Sequence, residues 1–244
     1  MRANPLAILA GFAVLALAPF SVAVAKDGAS TTRPAADSAR DADRKPAEMI
    51  KFAKISKGKT VVEMLPGAGY FTRVFSDAVG PKGKVYAYWP QSFAKAAEGS
   101  RMINAEPGRG NIIAFVGPLN QIAPAGIADV VWTSQNYHDL KGPRVPADGT
   151  AQVNKAAWDA LKPGGLYVIL DHSAAAGSGL RDVDTLHRID AATLKAEVIA
   201  AGFVFDGESK ALANPADDRK LNVFNPAIRG HTDQFTYRFR KPRK

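Results

Sequence analysis

The stretch Val61-Val62-Glu63-Met64-Leu65-Pro66-Gly67-Ala68-Gly69-Tyr70-Phe71-Thr72 decides how the rest of the chain is interpreted. Its first half is a short apolar run, which is typical of a strand covered on both faces. Pro66 and Gly67 end that strand, and the two glycines carry no Cβ atom, so a ligand can approach the backbone closely. The helix that follows directs its free N–H groups and positive dipole end at the space above the turn.

The acid in this stretch favours a nucleotide-type site over an ordinary tight turn. Glu63 stands four positions before the first glycine, near the end of an apolar strand, where a buried carboxylate needs a partner. The third glycine of the dinucleotide fingerprint is replaced by Thr72, which argues against NAD or FAD. The chain also lacks the Gly-Lys-Ser/Thr of a nucleotide-triphosphate phosphate loop.

Several motifs resemble one known family. The segment Glu63-Met-Leu-Pro-Gly-Ala-Gly-Tyr70 resembles motif I of the class I S-adenosylmethionine (SAM)-dependent methyltransferases, and Leu161-Lys-Pro-Gly-Gly-Leu-Tyr-Val168 resembles the segment before their fifth strand. Roughly residues 45–240 are similar to a family of sequence-predicted methyltransferases exported by Gram-negative bacteria. Further shared segments are Gly80–Tyr86, Tyr137-His-Asp139, Asp171-His172, Leu186-His-Arg188, Asn214-Pro-Ala-Asp217 and Gly230-His-Thr-Asp233.

This resemblance implies a Rossmann-like α/β fold. Its seven-stranded sheet would be mostly parallel with an antiparallel last strand, and helices would cover both faces. We expect helices over 44–55, 70–79, 92–103, 150–161 and 190–201, and strands over 61–65, 84–89, 111–116, 128–133, 166–170, from 203 and over 235–240.

The resemblance also implies SAM as the cofactor. It would bind over the glycine turn and the carboxyl ends of the neighbouring strands, where open parallel sheets bind ligands. The candidate cofactor-binding residues are Glu63, Pro66, Gly67, Ala68, Gly69, Tyr70, Trp89, Gly117, Ser134 and Asn136.

The second strand departs from the methyltransferase pattern. In the family this strand usually ends in an acid that binds the ribose hydroxyls, whereas here it ends in Tyr88-Trp89-Pro90. Trp89 can stack on an adenine, but it does not replace the charge-assisted hydrogen bonds of a carboxylate, each of which contributes about 1.5–3 kcal/mol.

The N-terminus is expected to lie outside the folded domain. Arg2, the apolar run 6–24 and the Ala23-Val24-Ala25 site predict a secretory signal peptide at 1–25, with an uncleaved membrane anchor as the alternative. Residues 26–43 are expected to form a flexible linker, and 44–244 the methyltransferase-like domain. The protein is then expected to be periplasmic or secreted. It contains no cysteine, which excludes disulfides and thiolate chemistry.

The four histidines give the sharpest functional hypothesis. On the implied topology His138, His172, His187 and His231 all lie in loops at the cofactor edge of the sheet. In one chemistry His138 is a general base that deprotonates an oxygen or nitrogen nucleophile. Asp139 or Asp233 would orient His138, with His172 and His231 as further candidate catalytic residues.

A metal site is the second chemistry for this edge. Its ligands would be drawn from His138, Asp139, Asp171, His172 and His231. Their spacing does not match a helical His-x-x-x-His motif, so metal binding ranks below the general-base hypothesis and no metal is expected.

The positive charge limits the class of partner. The formal net charge is +9, and the densest basic run is the tail 238–244. This tail suits weak contact with an anionic surface, although a solvated tail is the simpler interpretation. No nucleic-acid motif is present, so the expected partner is a small-molecule substrate.

Three functions follow from these observations. The first is a SAM-dependent methyltransferase acting on a small molecule, motivated by motif I and the histidine edge. The second is an exported, non-catalytic ligand-binding protein on the same fold, motivated by Trp89 in place of the acid. The third is a metal-dependent hydrolase that uses the histidine edge.

Overall fold

The computed structural model describes residues 33–100 and 102–243. The expected signal peptide at 1–25 lies outside the described residues. None of the helices in the described part of the chain combines the length and the apolar character needed to cross a membrane.

One seven-stranded sheet forms the centre of the protein. Its strands are Thr60–Met64 (β1), Lys84–Pro90 (β2), Ile112–Gly117 (β3), Ala128–Ser134 (β4), Leu161–His172 (β5), Val204–Ser209 (β6) and Gln234–Arg240 (β7). The strand order is β3-β2-β1-β4-β5-β7-β6. Strands β1 to β5 pair in parallel, and β7 is antiparallel to both β5 and β6. This topology confirms the expected fold class.

Helices cover both faces of the sheet. They are Ala35–Ser38 (α1), Asp41–Arg44 (α2), Pro46–Ala53 (α3), Tyr70–Val79 (α4), Gly149–Ala160 (α5) and Ala191–Ala200 (α6). Neighbouring residues of β1 enter opposite cores, because side chains alternate along a strand. Val62 packs in the core that contains residues of α5 and α6, whereas Val61 packs in the core that contains residues of α3 and α4. The apolar run of β1 is therefore buried on both faces, as its sequence predicts.

The described part of the expected linker is helical. Residues 34–44 contain α1 and α2, which are fixed to the start of α4 by charged contacts. Asp37 forms an ion pair with Arg73 at 3.0 Å, and Asp41 accepts a hydrogen bond of 2.6 Å from the Tyr70 hydroxyl. Asp41 also forms an ion pair with Arg33. Composition indicated a flexible segment, but these long-range contacts order it against the domain.

Two local expectations differ from the structure. The helix expected over 92–103 is replaced by three short 3₁₀ helices at Gln91–Phe93, Ala96–Ser100 and Ile103–Ala105. Strand β5 begins at Leu161 rather than Leu166, because Gly164 and Gly165 exchange backbone hydrogen bonds with Lys241. In β5, pairing with remote backbone extends the strand beyond its apolar run, whereas the backbone hydrogen bonds at 91–105 join residues three apart.

Candidate functional site

A cavity of about 390 Å³ lies over the glycine turn, at the carboxyl ends of β1, β2 and β4; we call it the first cavity. Most of the candidate cofactor-binding residues line it: Glu63, Pro66, Gly67, Ala68, Tyr70, Trp89, Ser134 and Asn136. The candidate catalytic residue Asp139 lines it as well. Cavities of 300 to 1,000 Å³ are typical of small-molecule sites.

The two glycines of the turn have different roles. Both have a positive φ angle, 58° for Gly67 and 83° for Gly69. A Cβ atom added to Gly67 would meet nothing within 4 Å, whereas one added to Gly69 would lie 2.3 Å from Cδ1 of Ile103. Gly67 therefore leaves the cavity open, and Gly69 allows Ile103 to pack beneath the turn. Gly69 is not part of the lining of the first cavity, and its expected role in cofactor binding stays a prediction.

The carboxyl group of Glu63 is enclosed in the wall of the first cavity. The residue is 3% exposed, and its Oε2 atom forms a hydrogen bond of 2.6 Å with the Thr72 hydroxyl. Burial raises the pKa of Glu63 to about 8, although the Thr72 hydrogen bond and the charges of Arg44 and Arg73 act in the opposite direction. Glu63 is therefore mostly protonated at neutral pH.

Two polar side chains at the end of β4, those of Ser134 and Asn136, differ in their hydrogen bonding. The Asn136 side chain bonds to the Thr133 hydroxyl and donates to the Leu65 carbonyl at 3.0 Å, so it holds the turn in place. The Oγ atom of Ser134 is buried and has no hydrogen-bond partner. A buried hydroxyl without a partner is costly, which points to a ligand that supplies one.

Gly117 lies apart from the first cavity. It ends β3, the strand at the sheet edge beyond β2, and its carbonyl accepts a hydrogen bond from the Tyr88 hydroxyl at 3.3 Å. The cavity lies at the ends of β1, β2 and β4, and its lining does not include Gly117. The expectation that Gly117 contacts the cofactor is therefore not supported by its position.

A second cavity of about 560 Å³ adjoins the first. The two cavities share Arg40, Arg44, Phe71 and Gln135 in their walls. The rest of the second cavity is lined by residues from β5, from the segment before β7 and from Gln234, among them His172, Phe224 and Arg229. Two ligands that occupied the two cavities would meet at the shared wall.

Arg44 is a partly buried cation in that shared wall. Its guanidinium donates a hydrogen bond of 3.0 Å to Oε1 of Gln135 and lies 4.9 Å from the centre of the Tyr70 ring. Burial lowers the pKa of Arg44 to about 10, and the charge of Arg40 acts in the same direction. The group stays protonated at neutral pH, so the wall between the cavities is positively charged.

Three of the four histidines come together. The His138 ring lies 6.0 Å from the His172 ring and 5.5 Å from the His187 ring, measured between centroids. Nδ1 of His138 lies 2.8 Å from Oδ1 of Asp171, and its Nε2 lies 3.6 Å from Oδ1 of Asp139. The expected partners of His138 were Asp139 or Asp233, but Asp171 makes the short hydrogen bond.

The protonation states of these histidines differ. Burial alone would lower the pKa of His138, but the charge and hydrogen bond of Asp171 and the charge of Asp139 raise it above its ordinary value. For His172 burial lowers the pKa to about 4, and Asp171 opposes this only in part. Nδ1 of His172 is 2.7 Å from the Thr232 hydroxyl. His172 is therefore neutral at pH 7, and it is the histidine that lines the second cavity.

His231 and Asp233 lie outside this cluster. The His231 side chain is exposed, and its carbonyl accepts a hydrogen bond from the Asn214 side chain. The Asp233 carboxylate pairs with Arg219 at 2.9 Å and accepts from the Asn214 amide. These contacts hold the segment before β7, and the catalytic roles expected for both residues stay predictions.

The candidate metal ligands named from the sequence do not all lie together in the structure. Asp171 faces Nδ1 of His138 and two backbone amides, and His172 faces Thr232. Asp139 instead lies between His138 and His187, whose Nδ1 atom is 3.7 Å from Oδ1 of Asp139.

Sequence reasoning missed the residues that join the two cavities. Arg40 and Arg44 fell in or beside the expected linker, although their spacing of four residues suits one side of a helix. Gln135 has a positive φ angle of 61° and bonds to both Arg44 and Gln234. No sequence signal distinguishes this glutamine from its polar neighbours.

Solved methyltransferase structures share this fold. A SAM-dependent methyltransferase from Aquifex aeolicus has a TM-score of 0.61 and 17% identity, covering 86% of this chain and 100% of that chain. Fibrillarin from Aeropyrum pernix, with natively bound SAM, has a TM-score of 0.54 and 15% identity over 82% of this chain and 76% of its own. The chain therefore has the fold of the class I SAM-dependent methyltransferases.

The fold does not by itself define the reaction. The cyclase SpnF has a TM-score of 0.61 and 16% identity, covering 83% of this chain and 81% of its own. Neither a protein-family model nor a curated protein matches the sequence. Function must therefore be argued from the site.

Proposed function

We propose that this protein is a SAM-dependent methyltransferase that acts on a small molecule. The observation that carries the proposal is the first cavity, whose wall contains the open glycine turn and Ser134, a residue with an unpartnered buried hydroxyl. The cavity lies at the carboxyl ends of parallel strands in a sheet with the methyltransferase strand order.

The residues present fit the cofactor. Gly67 leaves room beside the backbone, Trp89 offers an aromatic surface to an adenine, and Ser134 offers a hydroxyl to a polar group. Bound there, SAM supplies an electrophilic methyl group. The absence of an acid at the end of β2 predicts weaker binding than in methyltransferases that have one.

The acceptor is proposed to bind in the second cavity. Arg40, Arg44 and Arg229 line it, opposed by the single acid Asp43, so its wall favours an anionic molecule. His172 is the proposed general base, because it lines this cavity and is neutral at pH 7. It would take the proton from the acceptor's oxygen or nitrogen as the methyl group is transferred. Oδ1 of Asp171 contacts both the ring of His138 and the backbone amide of His172, so Asp171 links the two histidines.

The experiment is a calorimetric titration of the purified protein with SAM and with S-adenosylhomocysteine. We expect saturable binding that Ser134→Ala weakens by about tenfold, since one hydrogen bond contributes about 1 kcal/mol. The same substitution removes an unpartnered hydroxyl, so it should leave the unfolding midpoint of the free protein unchanged or higher. Gly67→Val, which adds a β-branched side chain at a positive φ angle beside the cavity, should abolish binding. Absence of binding by the unsubstituted protein would refute the proposal.

Trp89 favours a second candidate, a binding protein that holds another ligand on the same fold. Mass spectrometry of the protein purified under native conditions separates the two. Recovery of SAM or S-adenosylhomocysteine alone supports the methyltransferase, whereas a different bound molecule with no SAM affinity supports the binding protein.

We further propose that the protein is exported to the periplasm, as a member of the exported family that its motifs resemble. The apolar run at 6–24 and the Ala23-Val24-Ala25 site support this. Within the basic run at 238–244, Arg238 and Arg240 lie in β7 and form ion pairs with Asp206, so any contact of this run with anionic surface components would be weak. N-terminal sequencing of the protein from cell fractions tests the proposal: a periplasmic form that begins at Lys26 supports it, and a cytoplasmic form that begins at Met1 contradicts it.

A further inference from the structure

Three side chains meet between the two cavities with the donor atoms of a metal site. Nε2 of His138 and Nδ1 of His187 lie 3.6 Å and 3.7 Å from the same atom, Oδ1 of Asp139. One donor atom from each residue lies within 4.8 Å of the other two. We propose that His138, Asp139 and His187 bind one divalent transition-metal ion.

The donor distances are close to those of a bound site. Imidazole nitrogens and carboxylate oxygens lie about 2.0–2.2 Å from Zn²⁺, which sets them roughly 3.4 Å apart in a tetrahedral arrangement. The two distances to Asp139 exceed this by a few tenths of an ångström. Side-chain rotations would bring each histidine to ligand spacing from Asp139, and the two imidazole nitrogens, which lie within 4.8 Å of each other, would approach with them.

A buried carboxylate orients the least exposed donor. Asp171 is fully buried, and its Oδ1 lies 2.8 Å from Nδ1 of His138. Its Oδ2 accepts a hydrogen bond of 2.9 Å from the His138 backbone amide. This arrangement fixes the imidazole ring and leaves Nε2 facing Asp139 and His187. Carboxylates that bond to the second nitrogen of a histidine in this way are usual around metal sites.

His187 is also held firmly in place. Its backbone has a left-handed φ angle of 54°, and the next residue, Arg188, is fully buried in an ion pair with Asp217. The His187 ring packs against the Phe224 ring at 4.9 Å. The third donor is therefore presented by a rigid segment rather than by a free loop.

Two of the donors are open to incoming ligands. The side chains of Asp139 and His187 are 35% and 31% exposed, whereas that of His138 is 3% exposed. Asp139 lines the first cavity, and Phe224, which His187 contacts, lines the second. An ion with three protein ligands would keep a coordination position for a water or a substrate oxygen. Two imidazoles and one carboxylate suit Zn²⁺, Fe²⁺ or Co²⁺ better than Mg²⁺ or Ca²⁺.

The test is direct titration of the metal-free full-length protein with Zn²⁺ in competition with a chromophoric chelator. We expect one tight equivalent, and Co²⁺ at the same site should give a visible absorption spectrum typical of low coordination number. His187→Ala and Asp139→Asn should each weaken Zn²⁺ binding by about 100-fold, since each removes one of three ligands. His231→Ala, which removes an exposed histidine near the same edge, is the matched control and should leave Zn²⁺ affinity unchanged.

The outcomes are decisive in both directions. Loss of the tight equivalent in either variant with the control unaffected supports the site. Absence of a tight equivalent in the unsubstituted protein, or equal affinity in all variants, overturns it. Thermal unfolding of the metal-free variants checks folding, and the nearly isosteric Asp139→Asn decides the question if His187→Ala is unstable. SAM binding is measured in a separate titration, so absence of Zn²⁺ binding would leave the methyltransferase proposal intact.

Discussion

The two cavities are built in different ways. The first cavity takes much of its wall from one continuous stretch, residues 63–71, where a strand, a turn and a helix follow one another. The second takes its wall from short segments around residues 40–44, 170–172, 212–230 and 234. A locally built wall depends on backbone conformation, whereas an assembled wall depends on the contacts that hold distant loops together. The predictions below separate these two dependencies.

The largest expected effect is loss of the buried ion pair that supports the second cavity. Arg188 bonds to Asp217 and to the carbonyls of Ser173 and Leu221, and both charged side chains are fully buried. Arg188→Met leaves an unpaired buried carboxylate, and we expect the free energy of unfolding to fall by about 3–5 kcal/mol. Urea unfolding measures the effect.

Two controls bracket that result. Lys155→Met removes one partner of the exposed pair with Asp159 and should cost less than about 0.5 kcal/mol. The double variant Arg188→Met with Asp217→Asn should recover part of the loss, because no buried charge is left unpaired and the amide oxygen can still accept from a backbone N–H of Asp233 or Arg219. If Arg188→Met costs no more than Lys155→Met, the second cavity is not held by this pair.

The two glycines of the first cavity offer the next contrast. Gly69→Ala adds a Cβ atom 2.3 Å from Ile103 Cδ1, so it combines left-handed strain of about 1–2 kcal/mol with overpacking of about 1–3 kcal/mol. Gly67→Ala carries the strain alone, because nothing lies within 4 Å of the added atom. Gly69→Ala should therefore be the less stable protein in urea, and Gly67→Ala should show a larger loss of SAM affinity relative to its loss of stability. Equal stabilities would contradict the packing role of Gly69.

Glu63 gives the first cavity a pH dependence. Below about pH 4.5, its ordinary pKa, Glu63 is protonated in both the folded and the unfolded chain. Between that pH and about 8 only the unfolded chain releases the proton, so the free energy of unfolding falls as pH rises. Glu63 alone contributes a slope of about 1.4 kcal/mol per pH unit. His172, whose pKa is lowered from 6.5 to about 4 in the folded protein, contributes the opposite slope up to about pH 6.5, so we expect the net fall between about pH 6.5 and 8.

Glu63→Gln should remove this slope, and exposed Glu208→Gln should not. The measurement is urea unfolding of the ligand-free protein at several pH values across this window. A slope that survives Glu63→Gln would show that another group titrates with folding in this range.

The smallest effect concerns the aromatic surface of the first cavity. Trp89→Leu should weaken SAM binding by about 0.5–1.5 kcal/mol, the usual contribution of an aromatic pair beyond its buried area. Phe224→Leu, which alters only the second cavity, should leave SAM affinity unchanged. Calorimetry of both variants shows whether the two cavities bind separate ligands. If both substitutions weaken SAM binding to the same extent, the two cavities do not bind separate ligands.

The topology of the sheet was implied by the resemblance of the motifs to class I methyltransferases, whereas local patterns predicted the strand, turn and helix beside the first cavity. The apolar run of β1, the two glycines and the helical spacing of α4 are contiguous, and the structure has α4 at the expected bounds, Tyr70–Val79. The early start of β5 was not predicted, since it depends on pairing with remote backbone. The 3₁₀ helices at 91–105 were not predicted either, although their backbone hydrogen bonds are local.

The sequence determined the strand, the turn at Gly67 and the helix that follows, because strand, turn and helix preferences act over a few residues, and the resemblance of its motifs implied the class I methyltransferase fold. Only the tertiary structure decided which side chains meet. It paired His138 with Asp171 rather than Asp139 or Asp233, and it placed Arg44 between the cavities. Such contacts join residues tens of positions apart, and their choice depends on burial and on competing partners that a linear sequence does not specify.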